Sequence, residues 1–324
     1  MNAALLQVRD LEVGLDRRRG KAIVHRVSFD VAPGEAVGIV GETGSGKTLS
    51  MLAVMGLLPP AVRRTGGEIL FDGRDLAVLG ARQLRRLRGR ELAMVYQDPA
   101  TSLNPLMTIG DQIEEALSAH GVRRAEARAR VLEVLAQVGI PDPERTARAY
   151  PHQFSGGMRQ RAMIATALVL SPKLLIADEP TTALDVTIQQ QILALVRRLQ
   201  DETGMSIVWI THDLGVVARL VDRVVVMYAG QVVEQAPTRE LFRNPQHPYT
   251  AGLLASLPDP SDPSRPPLAQ IAGSPPEATD VPDGCPFHDR CPQAIDRCVR
   301  DRPPLTARAG GSVAACWVPP EEWR

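Results

Sequence analysis

The sequence predicts an α/β fold. A mainly parallel sheet covered by helices carries an added antiparallel layer, a helical subdomain and a loop-rich C-terminal extension. Three observations predict it. Short apolar runs alternate with helical segments through the body of the chain, the order that buries a parallel sheet under helices. The run Ala36-Val37-Gly38-Ile39-Val40 leads through a glycine-rich stretch into a mostly apolar helix, a strand–loop–helix unit. Ahead of it, Leu5 to Val13 and Ala22 to Val31 read as two strands, the second with Val27, Phe29 and Val31 alternating.

The elements follow in order. Pro33-Gly34 turns the second strand into the third. Gly41-Glu42-Thr43-Gly44-Ser45-Gly46-Lys47-Thr48 fits G-x-x-x-x-G-K-[ST], the phosphate-binding loop. The helix after it, Leu49 to Leu58, is expected to stop at Pro59-Pro60. Glu68-Ile69-Leu70-Phe71 is a strand closed by Asp72-Gly73, a hairpin signal. Leu76 to Arg90 reads as a basic helix with Arg82, Arg85, Arg86, Arg88 and Arg90, a pattern typical of a solvated face. Leu92 to Tyr96 is a strand ending at Gln97. Residues 109–140 read as two helices, ended by Pro141 and Pro143. Ser155 opens a helix to Leu170, and Lys173 to Glu179 is a buried strand ending in two carboxylates. Val186 to Gln200 is a helix, and Ser206 to Ile210 a strand leading to Thr211-His212-Asp213. A last hairpin, Val224–Tyr228 and Gln231–Glu234, turns at Ala229-Gly230.

Composition bounds the function. The 324 residues carry no net charge, and 44% are hydrophobic. A real core is expected, and there is no bulk electrostatic case for nucleic acid or anionic lipid. No apolar run approaches about 18 residues, and the N-terminus lacks the pattern of a signal peptide, so the chain is expected to stay in the cytoplasm. Of 27 prolines, 17 fall after residue 235, and all four cysteines lie beyond residue 284. That shift puts a boundary near residues 235–240, between a regular body (1–235) and a tail (236–324).

The chemistry sits at loop and strand ends. Gly44 and Gly46 let backbone N–H groups approach phosphate oxygens, and the following helix points its positive end at them. Lys47 suits the β/γ-phosphates, and Thr48 offers a hydroxyl to Mg²⁺. Asp178, at the C-terminal end of an apolar strand, suits Mg²⁺. Glu179 points elsewhere and is free to orient an attacking water. Gln97 can contact Mg²⁺ and water, and His212 can hydrogen-bond a γ-phosphate. Ser155-Gly156-Gly157 opens a helix, a second anion site. Alone, each has a plainer reading: a turn before Pro180, a structural histidine, a helix N-cap. Their joint occurrence in this order carries the assignment.

Together these residues resemble an ATP-binding-cassette ATPase, a P-loop NTPase, over roughly residues 5–235. Phe154-Ser155-Gly156-Gly157-Met158-Arg159-Gln160-Arg161 resembles that family's signature, with Met158 where Gln is commoner. Leu174 to Glu179 matches its Walker B strand, Ala183-Leu184-Asp185 its D-loop, Gln97 its Q-loop and His212 its switch histidine. The resemblance implies ATP and Mg²⁺, and two cassettes stacked head to tail. Each ATP is then held between one phosphate loop and the partner's Ser155-Gly156-Gly157. Residues 98–160 would form the helical subdomain that meets a permease. The family's adenine-stacking aromatic has no counterpart in Arg18 to Val24, so the base contact is unassigned.

The tail narrows the resemblance. Asn244-Pro245-Gln246-His247-Pro248-Tyr249-Thr250 and Thr101-Ser102-Leu103-Asn104-Pro105 are similar to motifs of the oligopeptide/dipeptide permease ATPases. That group implies a peripheral subunit on the cytoplasmic face of the inner membrane. Its partners would be a second ATPase (a sibling chain by the family pattern), two membrane permeases and an external binding protein. Peptides are the majority cargo; nickel or another solute is the alternative. A different class, a soluble cassette ATPase acting on nucleic acid or ribosomes, has only the Arg82–Arg90 cluster in its favour. Cys285, Cys291, Cys298 and Cys316 are spaced C-x5-C-x6-C-x17-C. Cytoplasmic thiols argue against disulfides, and the equivalent cysteines of relatives hold a 4Fe–4S cluster. Zinc and unligated thiols are the alternatives, zinc weakened by the missing C-x2–4-C pairs.

Overall fold

A computed structural model describes residues 4–16, 21–182, 184–257 and 270–323. It divides into two compact units. The first comprises residues 1–32, 36–77 and 210–324, and the second residues 33–35 and 78–209.

In the first unit, strands Leu6–Leu15, Ala22–Val31, Val62–Phe71 and Arg74–Asp75 form an antiparallel sheet with Leu6–Leu15 between the two long partners. Their alternating apolar residues, Leu6, Val8, Leu11, Val24, Val27, Phe29 and Phe71 among them, are buried. Strand Val62–Phe71 begins six residues before the expected Glu68. Its first half, Val62-Arg63-Arg64-Thr65-Gly66-Gly67, has no apolar alternation and is drawn into the sheet by pairing with Glu12 to Leu15. Strand Ala36–Val40 is entirely buried and pairs in parallel with Arg223–Tyr228. Arg223–Tyr228 turns at Ala229-Gly230, both at positive φ, into Gln231–Pro237, the two-residue hairpin turn that the right-handed strand twist favours.

The phosphate-loop helix runs Lys47–Met55. Gly56 ends it, at φ 61°, its N–H donating to Leu52 and Ala53 carbonyls. The stop is therefore a left-handed glycine cap and not Pro59-Pro60. A helix that the sequence reading did not name, Leu214–Leu220, follows His212. The tail adds helices Thr238–Arg243, Pro248–Ala255 and Asp296–Arg300. Its strand Val313–Ala314 pairs with Gln231–Pro237, and Thr306–Ala307 pairs with Val313–Ala314 in turn.

In the second unit, strand Leu92–Val95 pairs in parallel with Leu174–Asp178. Helices Ile109–Ala119, Arg124–Gln137, Gly156–Leu168 and Val186–Thr203 accompany them. Arg198 Nη2 donates to the Gln137 carbonyl at 2.6 Å and closes the end of one helix against another. The expected basic helix 76–90 shrinks to Ala81–Leu87, leaving Arg88 and Arg90 outside it. Its arginines have no apolar stripe to bury, so packing does not extend it. Pro143 begins a short helix, Pro143–Thr146, where the sequence reading made it a stop. Proline suits a first helical turn. Among the described residues no helix is long and apolar enough to cross a membrane.

Candidate functional site

The phosphate loop follows from its strand. Gly41 leaves the buried strand at φ 153°, where an added Cβ would lie 2.1 Å from the Met227 carbonyl oxygen. Only glycine fits this approach to the neighbouring strand. Ser45 and Lys47 are buried, while Thr43, Gly44 and Thr48 are exposed. Lys47 Nζ folds back onto the loop, donating to the Gly41 carbonyl at 2.7 Å and the Glu42 carbonyl at 3.0 Å. Nothing lies within 4 Å of a Cβ built on Gly44. The loop is therefore an open cradle with its ammonium already inside, a fit for phosphate oxygens and for a Mg²⁺ ion beside the exposed Thr48 hydroxyl. His212, also in this unit, is exposed at the end of strand Ser206–Thr211.

The carboxylates belong to the second unit. Asp178 is the last residue of its strand and is 5% exposed. Glu179 follows at φ 44°, a left-handed conformation unusual for a non-glycine residue. That conformation turns its side chain away from the strand. Gln97 Nε2 donates to Glu179 Oε2 at 3.1 Å, and Thr182 Oγ1 donates to the same oxygen at 3.0 Å. The two strand ends thus bring Gln97 and Glu179 together, a pairing the sequence reading did not make. Thr182 was missed as well; its signal was the three-residue spacing from Glu179 within Glu179-Pro180-Thr181-Thr182.

Ser155 caps helix Gly156–Leu168, accepting from the Met158 N–H at 3.3 Å, and is itself exposed with Gly156. Gly157 and Met158 behind them are half-buried. Asp185 caps helix Val186–Thr203 by accepting from the Ile188 N–H at 2.9 Å. Ala183 of the same stretch lies outside the described residues, as do Arg18, Arg19 and Gly20 beside the unassigned base contact.

The tail cysteines are all free thiols. Burial pushes Cys285 up to about 12 and Cys291 up to about 11, with Cys298, Cys291 and Cys316 adding to the rise at Cys285, and Cys316 and Cys298 to that at Cys291. Cys316 is raised by burial too, and its Sγ donates to the Val318 carbonyl at 3.2 Å. Cys285 and Cys298 are tied by a backbone bond of 2.8 Å. Among the described residues no three His, Cys, Asp or Glu side chains are arranged to hold a metal ion. The expected metal set on Cys285, Cys291, Cys298 and Cys316 is therefore not supported by the arrangement of these residues. Burial favours the protonated form of Cys285, Cys291 and Cys316.

His247 and Glu234 form a buried pair beneath the tail. Glu234 accepts from the Gln246 and His247 N–H groups at 2.8 and 2.9 Å. Burial raises its carboxyl to about 7 and lowers His247 to about 3. His247 Nδ1 accepts the Tyr249 N–H at 3.1 Å, capping helix Pro248–Ala255. A second ring proton would abolish that cap.

Comparison with known proteins follows the same lines. Residues 24–182 match the ABC transporter family, and residues 233–298 match the oligopeptide/dipeptide transporter C-terminal region. A dipeptide transport ATP-binding protein of Bacillus subtilis is 48% identical, over 97% of this chain and 94% of the relative. Its namesake in Escherichia coli is 48% identical over 98% and 97%. Among solved structures, a dimeric post-hydrolysis ATP-binding cassette bound to ADP and phosphate aligns with a TM-score of 0.64. It is 28% identical and covers 72% of this chain and 99% of its own. A Clostridium perfringens protein, part of an ABC transporter complex, aligns at 0.65 and 29% identity, over 74% and 91%.

Proposed function

Since the chain belongs to the ABC transporter ATP-binding proteins, we propose that it is the ATP-hydrolysing subunit that powers an importer of di- or oligopeptides. The observation that carries this is the end-to-end likeness to two dipeptide transport ATP-binding proteins, body and tail together. The tail match argues for peptides over nickel or another solute. In this reading residues 1–235 are the nucleotide-binding domain, with its helical subdomain at about 98–160, and residues 236–324 the C-terminal domain of the permease group.

The residues take these roles. The N–H groups of Gly41 to Thr48 and the Lys47 ammonium bind the β/γ-phosphates. Thr48 would offer Mg²⁺ its hydroxyl, and Asp178 and Gln97 are the further residues that would hold the ion, whose charge would neutralise that developing on the phosphates. Glu179 orients the attacking water, its carboxylate set in place by the bonds that Gln97 and Thr182 donate to Oε2. His212 donates to the γ-phosphate. Ser155, Gly156 and Gly157 serve the ATP of a partner cassette, with Asp185 beside them. The partners of the reading are a second ATPase subunit, different in sequence, two membrane permeases and an extracytoplasmic binding protein. The chain then works at the cytoplasmic face of the inner membrane.

Co-purification tests this. Tagged Glu179→Gln protein is drawn from detergent-solubilised membranes with ATP and Mg²⁺. Two multi-span membrane proteins and a second cassette are expected. Recovery from the soluble fraction alone, with nucleic acid or ribosomes, overturns the reading. A 4Fe–4S cluster in the tail would require the four thiols to ionise and draw together. Iron and sulfide analysis of protein purified without oxygen tests that step separately.

A further inference from the structure

The C-terminal extension reaches the phosphate loop through one arginine. Arg290 stands beside Cys291, 248 positions beyond Glu42. Its Nη1 donates to Glu42 Oε2 at 2.8 Å and to the Tyr228 hydroxyl at 3.1 Å. Its Nη2 donates to Glu42 Oε1 at 3.1 Å and to the Ile271 carbonyl at 3.4 Å, and its Nε to the Ala272 carbonyl at 2.9 Å. All five guanidinium N–H groups therefore have acceptors. The grip on the carboxylate is two-pronged, the stronger form of the ion pair. The Arg290 side chain is 7% exposed and that of Glu42 25%, so water screens the pair little. Burial works against the arginine charge, but the bonds to Glu42 and Tyr228 outweigh it and hold its pKa above the ordinary value. The guanidinium also sits 5.7 Å from the Tyr228 ring centre and 5.9 Å from that of Phe287.

A second tail residue holds the same loop position. The Glu42 backbone N–H donates to the Tyr249 hydroxyl at 2.9 Å. The Glu42 carbonyl accepts from Lys47 Nζ. One loop residue is thus held at its carboxylate, its N–H and its carbonyl, two of the three from the extension. A carboxylate in an anion-receiving loop opposes its ligand by like charge. Arg290 cancels that charge in place.

We propose that Arg290 and Tyr249 are positioning residues of the nucleotide site: by holding Glu42 they keep the phosphate loop in its anion-receiving form, so the C-terminal extension sets the affinity for a nucleoside triphosphate. This rests on the reading of residues 41–48 as the ATP site, and the experiment separates the two.

The full chain is titrated with a fluorescent ATP analogue and Mg²⁺, and ATPase rates are measured alongside. Failure of the wild-type chain to bind sinks the ATP-site reading itself, and with it the premise. Given wild-type binding, Arg290→Ala is expected to raise Kd about tenfold, which is about 1.4 kcal/mol. KM for ATP rises in step while kcat falls less, because the loss is in binding. Arg290→Lys keeps the charge without the fork and falls between. The double variant Arg290→Ala/Glu42→Gln returns to within about threefold of wild type, since the uncancelled carboxylate is gone. A merely structural arginine predicts no such rescue. Should Arg290→Ala fail to fold, Tyr249→Phe removes only the hydroxyl that accepts the Glu42 N–H, and Kd is expected to rise about threefold. Wild-type Kd in folded Arg290→Ala, a double variant as weak as the single, or, where Arg290→Ala does not fold, wild-type Kd in Tyr249→Phe overturns the proposal.

Discussion

The buried pair Glu234 and His247 makes a quantitative prediction about stability and pH. Glu234 is fully buried and His247 nearly so. The carboxyl is raised from 4.5 to about 7 and the imidazole lowered from 6.5 to about 3. Between pH 5 and 7 the folded pair therefore carries its proton on Glu234, while the unfolded pair carries it on the histidine. The signs oppose. A raised carboxyl gives stability that is present below its unfolded pKa and lost as pH rises through the folded value. A lowered histidine gives stability that is present above its unfolded pKa and lost as pH falls. From pH 5 to 7, Glu234 costs about 2 kcal/mol and His247 returns about 2 kcal/mol, at about 1.4 kcal/mol per pKa unit. The wild-type contribution of the pair is thus nearly flat.

His247→Asn exposes the cancelled slope. Asparagine keeps an acceptor for the Tyr249 N–H and is a good N-cap, but it does not titrate. Urea midpoints at pH 5, 6 and 7, followed by tryptophan fluorescence, give the stability of both proteins. The variant is expected to lose about 2 kcal/mol relative to wild type as pH rises from 5 to 7, on top of any constant cost of the smaller side chain. Glu234→Gln is expected to show the opposite drift. Parallel stability curves for wild type and His247→Asn would refute the reasoning, because they would mean that the ring titrates alike in both states.

The remaining predictions concern the site and the tail. Lys47→Ala removes a buried ammonium from the loop; one charge at about 4 Å is worth roughly 4 kcal/mol at an effective dielectric near 20, so ATP affinity is expected to fall about a thousandfold. Calorimetric binding within tenfold of wild type counts against it. Glu179→Gln is expected to keep ATP binding and abolish turnover, read as phosphate release; a full rate removes Glu179 as the water-orienting group. At pH 8, Cys291 is expected to react with a thiol reagent about a hundredfold, and Cys285 about a thousandfold, more slowly than free cysteine, because burial keeps them protonated. Urea should release them, and fast native labelling of both speaks against buried thiols.

What was legible in the sequence was local chemistry. Gly41 to Thr48 specifies its own loop, because glycine alone allows the approach to Met227 and because the strand and helix beside it follow from apolar runs. Asp72-Gly73 and Ala229-Gly230 announced their hairpins for the same reason: both central residues sit at positive φ. Cap residues such as Ser155 and Asp185 marked helix starts within a residue. Tertiary structure decided the rest. The polar half of strand Val62–Phe71 is a strand only because Glu12 to Leu15 offers a partner ladder. The basic stretch around Arg85 had little beyond Leu87 to bury and stayed short. Gln97 meets Glu179 only once two parallel strands end side by side. Arg290 reaches Glu42, and Glu234 loses its solvent, only when the tail folds onto the hairpin. A contact across 248 positions leaves no periodicity or spacing to read, because its energy comes from desolvation and geometry that the chain acquires on folding.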